Sequence, residues 1–276
     1  MNPRGISIHV AVNRSKMRRY TPLEPLASPA RSAEAMQRIA EREGFETQTL
    51  VGPAATCAAV TAAIRAAAGP VGGDGILLLT YSGHGDVVVP AGPGGDREVE
   101  DQCWCLYDGQ LVDDDLYRLW AGFEPGARIV VISDSCHSGS IIRASEPAPA
   151  TWTRARRVGL QRRDGGPALP SRATSAPNGG QTIVAEPEPP KVAAKVLLLA
   201  AAGNRQQGRE HSDQSLFTRA LLDVWEDGAF QGSYLDLYDQ ISEKLKGKPR
   251  PIYYGAMASP EFAAQRPFTI TPPRTG

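Results

Sequence analysis

Short apolar runs alternate with amphipathic segments along most of the chain. The runs predict β-strands at residues 5–13, 45–51, 75–81, 127–133, 195–201 and 252–254. Apolar residues at helical spacing predict helices at residues 32–43, 54–68, 113–121, 215–225 and 234–245. The glycine-rich residues 85–95 are interpreted as a hairpin or loop beyond the sheet edge. Strands that alternate with helices indicate βαβ units, and therefore a mostly parallel sheet with helices on both faces.

Two of the predicted strands end in chemically useful residues. The third leads into His84, which lies between two glycines, and the fourth leads into Cys136. Functional sites in parallel α/β sheets lie beyond the carboxyl ends of the strands, where both residues fall. A thiolate attacks carbonyl groups, and a nearby imidazole can take the thiol proton and later protonate a leaving amine. The pattern therefore predicts a Cys–His site, with the backbone amide of Gly85 as a candidate donor to an oxyanion.

Composition and charge narrow the class of protein. The chain has 276 residues, 41% hydrophobic and 22% charged, with a formal net charge of zero. These values are typical of a soluble globular protein and favour neither a nucleic-acid nor a membrane partner. The first residues lack the apolar core of a signal peptide, and the longest apolar stretch, 192–202, is too short to span a bilayer. A cytoplasmic location is expected.

The four cysteines are too few and too irregularly spaced for a disulfide framework. Cys103 and Cys105 flank a tryptophan, and strand alternation points both to one face. We interpret them as half-buried strand residues, with a metal-binding pair as the alternative. Cys57 lies in an alanine-rich helix and is expected in the core.

A change of composition divides the chain. Pro, Gly, Arg, Ser and Ala dominate from about residue 143 onward, and hydrophobic periodicity disappears. This composition is typical of a flexible, disordered insertion. We therefore expect one domain over residues 1–276, made of a first part (1–142), an insertion (143–193) and a second part (194–276).

Two motifs resemble the signatures of a known family. The sequences Tyr81-Ser-Gly-His-Gly85 and Asp134-Ser-Cys-His-Ser-Gly139 are similar to the paired motifs of caspase-like cysteine peptidases, in particular the bacterial metacaspase (orthocaspase) type. The histidine and cysteine are 52 positions apart, a spacing that suits this family. Weaker similarity covers residues 104–108, 112–116 and 215–222. The resemblance implies the caspase-hemoglobinase fold, a three-layer α/β sandwich.

The resemblance also implies roles for individual residues. Cys136 is expected to be the nucleophile and His84 the general base and acid, in the hydrolysis of peptide bonds of a protein or peptide substrate. The backbone amides of Gly85 and Cys136 are expected to form the oxyanion hole. His137 competes for the role of base, but it is adjacent to Cys136 and its ring is expected to point away.

Substrate preference is expected to depend on Asp134. It lies two residues before Cys136, so strand alternation places both on one face, and the resemblance implies that its carboxylate selects Arg or Lys at P1; a solvated or capping aspartate is the alternative. The chain departs from the family pattern at Ser32, where relatives have an aspartate, and at residues 204–208, where an acid is often found. Arg205 would oppose the binding of a basic P1 residue, whereas Glu34 or Glu210 would compensate for the missing acids.

Calcium is a second trait that the resemblance implies. Asp113 and Asp114 are candidate ligands, with calcium as a candidate activator rather than a participant in the chemistry. An acidic helix start explains the same residues. The family's further aspartate after the cysteine is replaced by Arg143.

Several alternatives remain open at this point. An Arg-specific peptidase would be able to cut itself in the arginine-containing insertion, or the insertion stays an uncut solvated loop. A monomer is expected by analogy. The competing functions are a caspase-fold regulator that binds peptides without cleaving them and a serine hydrolase using Ser135 or Ser138, although the chain has no Gly-x-Ser-x-Gly motif.

Overall fold

The computed structural model describes residues 3–16, 25–88, 101–135, 191–201, 214–248, 250–255 and 257–272. The described part forms a three-layer α/β arrangement, as the sequence predicts. Of the predicted insertion at 143–193, only residues 191–193 are described.

A six-stranded, mostly parallel sheet forms the middle layer. Its order is β2-β1-β3-β7-β8-β9, and only the β8–β9 pair is antiparallel among these strands. The strands are β1 (Gly5–Ala11), β2 (Glu46–Val51), β3 (Ile76–Ser82), β7 (Arg128–Asp134), β8 (Lys195–Ala200) and β9 (Ile252–Tyr254). Strands β7 and β8 are neighbours, so the parts of the chain before and after the insertion share one sheet.

Helices cover both faces of this sheet. They are α1 (Pro29–Arg42), α2 (Cys57–Val71), α3 (Asp113–Trp120), α4 (Leu216–Trp225), α5 (Tyr234–Lys244) and α6 (Pro260–Ala264). Alternate residues of the central strands enter two separate apolar clusters: Leu77, Leu79 and Tyr81 pack with α2 and α3, while Ile76 and Leu78 pack with α1, α4 and α5. All seven residues of β3 are buried, which explains the apolar run 76–79 with which it begins. No described helix is long and apolar enough to cross a membrane.

A second sheet was not predicted. Strands β4 (Gly85–Val88), β5 (Asp101–Cys105) and β6 (Gln110–Val112) form a three-stranded antiparallel sheet after the end of β3. Residues 85–95 were interpreted as a hairpin or loop beyond the sheet edge. Residues 85–88 form an antiparallel pair with β5, the next strand in the chain, which agrees with the hairpin alternative; residues 89–95 lie outside the described ranges.

The end of helix α2 was predicted wrongly. The helix was predicted to end at residue 68, before Gly69 and Pro70, but it continues through both to Val71. A proline removes one helical N–H and crowds the preceding turn, and the helix extends only one residue beyond Pro70. The actual stop is Gly72, which has a φ of 56° and donates its N–H to the carbonyl of Ala68.

Candidate active site

The loops after β3 and β7 start side by side. Ser82 and Asp134, the last residues of these strands, are register partners, and the N–H of Gly83 donates to the carbonyl of Asp134 at 3.3 Å. Neighbouring strands lie about 4.8 Å apart. His84 follows Ser82 by two residues, and Cys136 follows Asp134 by two residues. The third and fourth predicted strands are therefore neighbours in the sheet.

His84 lies in the short connection between β3 and β4 and is partly exposed. Its carbonyl oxygen accepts a hydrogen bond from the N–H of Cys105 at 2.9 Å and one from the hydroxyl of Tyr81 at 2.6 Å. The backbone that carries the imidazole is therefore attached to both sheets.

The backbone amide of Gly85 points away from its partner strand. Gly85 pairs with Trp104, and the bond from Cys105 N–H to the His84 carbonyl marks this as a non-hydrogen-bonded pair of the antiparallel ladder. In such a pair the N–H groups of the two paired residues face outward. β4 is an edge strand, so the Gly85 amide is directed toward the open side of the small sheet, which suits a donor to an oxyanion.

Asp134 is attached to the start of helix α4. Its Oδ2 accepts hydrogen bonds from the hydroxyl of Ser215 and, at 2.6 Å, from that of Thr218. Ser215 is also the N-cap of α4, because its Oγ accepts from the N–H of Thr218. The position is favourable for a negative charge, because the N-terminal end of a helix is the positive end of its dipole.

These partners of Asp134 were not identified from the sequence. Ser215 lies 81 positions after Asp134, and no local pattern links them. The one available signal was the Ser-x-x-Thr spacing at a helix start, which marks a capping residue but does not identify what else it binds.

One of the two aspartates proposed as calcium ligands is held by hydrogen bonds from backbone amides. Asp113 is fully buried; its Oδ1 accepts from the N–H of Asp114 at 3.0 Å and its Oδ2 from the N–H of Gln102 at 3.4 Å. These bonds join the start of α3 to β5. Asp113 and Asp114 both lie in the first turn of α3, which agrees with the alternative of an acidic helix start. Among the described residues no cluster of three or more His, Cys, Asp or Glu side chains is able to hold a metal. The buried Asp113 fits a calcium cage poorly, and calcium binding stays a prediction.

The thiols of the small sheet are unsuited to act as nucleophiles. Cys103 and Cys105 are fully buried rather than half-buried as predicted. A hydrogen bond with Cys105, together with burial, raises the pKa of the Cys103 thiol far above its usual range, so Cys103 stays protonated. Cys57 is the first residue of α2 and is only partly buried, not in the core as expected.

Several predicted residues lie outside the described ranges: Cys136, His137, Ser138, Arg143, Arg205 and Glu210. Ser135, the last described residue before Cys136, is buried. Ser32 is buried in α1, and its hydroxyl has no hydrogen-bond partner within the described structure.

Comparison with protein families gives one match that spans most of the chain. Residues 12–263 match the family model described as the caspase domain. Among curated proteins, metacaspase-5 of Trypanosoma brucei brucei is 25% identical over 200 residues, which cover 71% of this chain and 36% of that protein. Metacaspase-4 of Arabidopsis thaliana is 44% identical over 69 residues, or 24% of this chain and 16% of that protein. The matched regions therefore span about a third or less of these relatives.

Solved structures agree on the fold. A protein of Geobacter sulfurreducens is 29% identical with a TM-score of 0.71, and the alignment covers 98% of this chain and 100% of that one. Caspase-1 from Spodoptera frugiperda is 15% identical with a TM-score of 0.55 and 93% coverage of this chain and 88% of its own. At that identity the second likeness shows the fold alone.

Proposed function

The chain belongs to the caspase-domain family of cysteine peptidases, and we propose that it is an endopeptidase that cuts protein or peptide substrates with Cys136 and His84. The observation that carries this proposal is the alignment of the two strand ends. Ser82 and Asp134 are register partners, joined by the bond from Gly83 to Asp134. Each active-site residue follows one of these partners by two positions.

The proposed reaction follows the usual steps of a thiol peptidase. His84 takes the proton of Cys136, and the thiolate attacks the substrate carbonyl to form a tetrahedral oxyanion. The amides of Gly85 and Cys136 hold that oxyanion, for which the outward direction of the Gly85 N–H is suitable. Protonated His84 then gives its proton to the leaving amine as the C–N bond breaks. Water, deprotonated by the same imidazole, hydrolyses the thioester and restores the thiol.

We assign Asp134 to the recognition of a basic P1 side chain. Its carboxylate is partly exposed and lies at the active-site end of β7. Two hydroxyls of the first turn of α4 fix one carboxylate oxygen, so the acid presents a constant orientation to a substrate guanidinium or ammonium. The competing role is structural, since the same bonds join β7 to α4.

A peptide assay tests this function. Fluorogenic peptides with Arg, Lys or Asp at P1 are offered to the purified protein, with calcium and with a chelator. The expected result is turnover of Arg and Lys peptides that is lost in Cys136→Ala and retained in the matched variant Cys57→Ala. Binding of these peptides without Cys136-dependent turnover would instead support the peptide-binding regulator.

The same proteins report on self-processing within residues 143–193. A wild-type chain that cuts itself there separates on a denaturing gel into two fragments, while Cys136→Ala stays intact. If both proteins migrate as one full-length band after prolonged incubation, the insertion is not a substrate of the enzyme. Calcium activation is assigned only if turnover falls with the chelator and recovers when calcium is added back.

A further inference from the structure

The Tyr81 side chain lies beneath the backbone of His84. Tyr81 is only 1% exposed, and its hydroxyl oxygen is 2.6 Å from the carbonyl of His84 and 3.0 Å from that of Cys105. A phenol has one proton to donate, and the shorter distance favours His84 as its acceptor. The His84 carbonyl also accepts from Cys105 N–H, so it is held by one donor from each sheet.

The aromatic ring of Tyr81 is itself held in place. It stacks on the fully buried Trp104 with ring centroids 4.6 Å apart and an interplanar angle of 14°. Gly83 leaves the space that the hydroxyl occupies, because a Cβ at that position would lie 2.5 Å from the Tyr81 oxygen. The stacked ring and the space at Gly83 thus place the hydroxyl against the His84 carbonyl.

The same stack connects to the strand that leads to Cys136. Trp104 donates from Nε1 to the hydroxyl of Ser133 at 2.9 Å, and Ser133 and Ser135 share a hydrogen bond of 3.2 Å. Both serines are buried, and Ser135 immediately precedes Cys136. A continuous chain of buried contacts thus runs from the His84 carbonyl to the residue before the proposed nucleophile. We call Tyr81, Trp104, Ser133 and Ser135 the aromatic brace.

We infer that Tyr81 is a positioning residue for His84, acting through the His84 carbonyl, and that the aromatic brace sets the imidazole relative to Cys136. This inference rests on the proposed function of His84 and Cys136. Proton transfer between a thiol and an imidazole needs close alignment, and a displacement of about 1 Å is enough to cost a large factor in rate. Removing only the hydroxyl leaves the ring stack in place but releases one of the two donors to the carbonyl.

The test compares Tyr81→Phe with Tyr234→Phe. Tyr234 is a fully buried tyrosine in α5 whose hydroxyl accepts from the N–H of Phe268 at 2.9 Å. Its ring contacts those of Phe262 and Phe268. It lies near Arg128, the first residue of β7, whereas Asp134 is the last residue of that strand. Each variant removes one buried phenolic hydroxyl, so a general loss of stability affects both.

Two readouts decide the outcome. Tyr81→Phe is expected to lower kcat by about 10- to 100-fold with KM within about twofold, and to shift the pH profile of Cys136 alkylation by iodoacetamide. Tyr234→Phe is expected to leave both readouts at the wild-type level. The inference is overturned if Tyr81→Phe keeps the wild-type kcat and alkylation profile.

Failure of the proposed function looks different. It appears as wild-type turnover that does not depend on Cys136, whatever the effect of Tyr81→Phe. In that case the alkylation profile alone decides the inference, because it measures the influence of the imidazole on the thiol without substrate. An unchanged profile in Tyr81→Phe then overturns it, and a shifted profile with an unchanged Tyr234→Phe control supports it.

Discussion

Thr218 donates a 2.6 Å hydrogen bond from its hydroxyl to Oδ2 of Asp134, which connects helix α4 to the last residue of strand β7. Ser215 donates to the same oxygen. The link joins residues 84 positions apart, one on each side of the insertion. The orientation of the proposed P1-binding carboxylate is therefore fixed by the second part of the chain.

Thr218→Val tests this link with a side chain of nearly the same shape. A hydrogen bond to a charged group contributes about 1.5–3 kcal/mol, so its loss leaves Asp134 less well oriented. We expect KM for an Arg peptide to rise by about 3- to 10-fold with little change in kcat. Thr49→Val is the control. Thr49 lies on the edge strand β2, away from β7, and its hydroxyl donates to Gln37 on α1. An unchanged KM in Thr218→Val would mean that Asp134 does not bind the P1 residue in this orientation.

Gly83→Ala tests the space beside His84. The added methyl would lie 2.5 Å from the Tyr81 hydroxyl and 2.9 Å from its ring carbon Cζ, so the tyrosine or the loop must move. We expect kcat to fall by more than about 10-fold, because the imidazole moves with the loop. Gly69→Ala in α2 is the matched control, since a Cβ there meets no atom within 4 Å. Equal activity of the two variants would show that the loop absorbs the methyl group without moving His84.

The pattern of the sequence predicted the main sheet because each central strand buries both faces. The four consecutive apolar residues that begin β3, 76–79, indicate a buried strand without information from elsewhere in the chain. By contrast, the small sheet depends on pairing between Gly85 and Trp104, which are separated by residues with no periodic pattern. Register of this kind is set by partner strands and by the space available, and neither is visible in a local window.

The candidate site shows the same division. His84 was predicted from its position at a strand end, and Asp134 from its spacing to Cys136 and from the family resemblance. The pairing of the two strands that carry them is seen only in the structure. The hydrogen bonds from Ser215 and Thr218 to Asp134, and that from Tyr81 to His84, were not predicted. All three donor residues nevertheless lie within the segments that resemble the family. Their contacts depend on how α4 and β5 pack against the central sheet, which is decided by long-range packing rather than by motif spacing.

His9 is expected to make stability depend on pH. Its ring lies in the core, where Nδ1 bonds Thr80 at 2.9 Å and Nε2 bonds Ser7 at 3.0 Å, and burial lowers its pKa to about 3. The unfolded chain binds this proton near pH 6.5, so stability falls as the pH decreases from about 6.5 toward 3, with a limiting slope of about 1.4 kcal/mol per pH unit from this group. Urea unfolding of the wild type and His9→Gln between pH 4.5 and 7 measures the difference. Parallel pH dependences would contradict the assignment.

Arg128 is expected to be essential for stability rather than for catalysis. This buried residue starts β7 and donates to Gln265 Oε1 and to the carbonyls of Asp74, Thr269, Ile270 and Thr271. Arg128→Met removes this shared donor, although the carbonyls of Thr269 and Thr271 keep a second one, Nε2 of Gln265. The loss is expected to cost about 3–5 kcal/mol in the free energy of unfolding. Arg128→Lys should not restore it, because an ammonium lacks the planar fork.

Arg38→Met is the control for this variant. Arg38 forms an exposed ion pair with Glu34 on α1, and its removal should change stability by less than about 1 kcal/mol. Chemical denaturation of the three variants tests the prediction. A loss in Arg128→Met as small as that in Arg38→Met would mean that the segment at residues 265–271 is held by other contacts.

Covalent trapping of the nucleophile tests directly whether Cys136 and His84 act together in catalysis. A peptidyl-arginine chloromethyl ketone is added to the wild type and to His84→Ala near pH 7, and the modified residue is identified by mass spectrometry. If Cys136 is the nucleophile and His84 its base, we expect one adduct per wild-type chain, on Cys136, with loss of peptide turnover in proportion to labelling. Labelling of His84→Ala is expected to be much slower. A fully labelled Cys136 with undiminished turnover would contradict the assignment of Cys136 as the nucleophile.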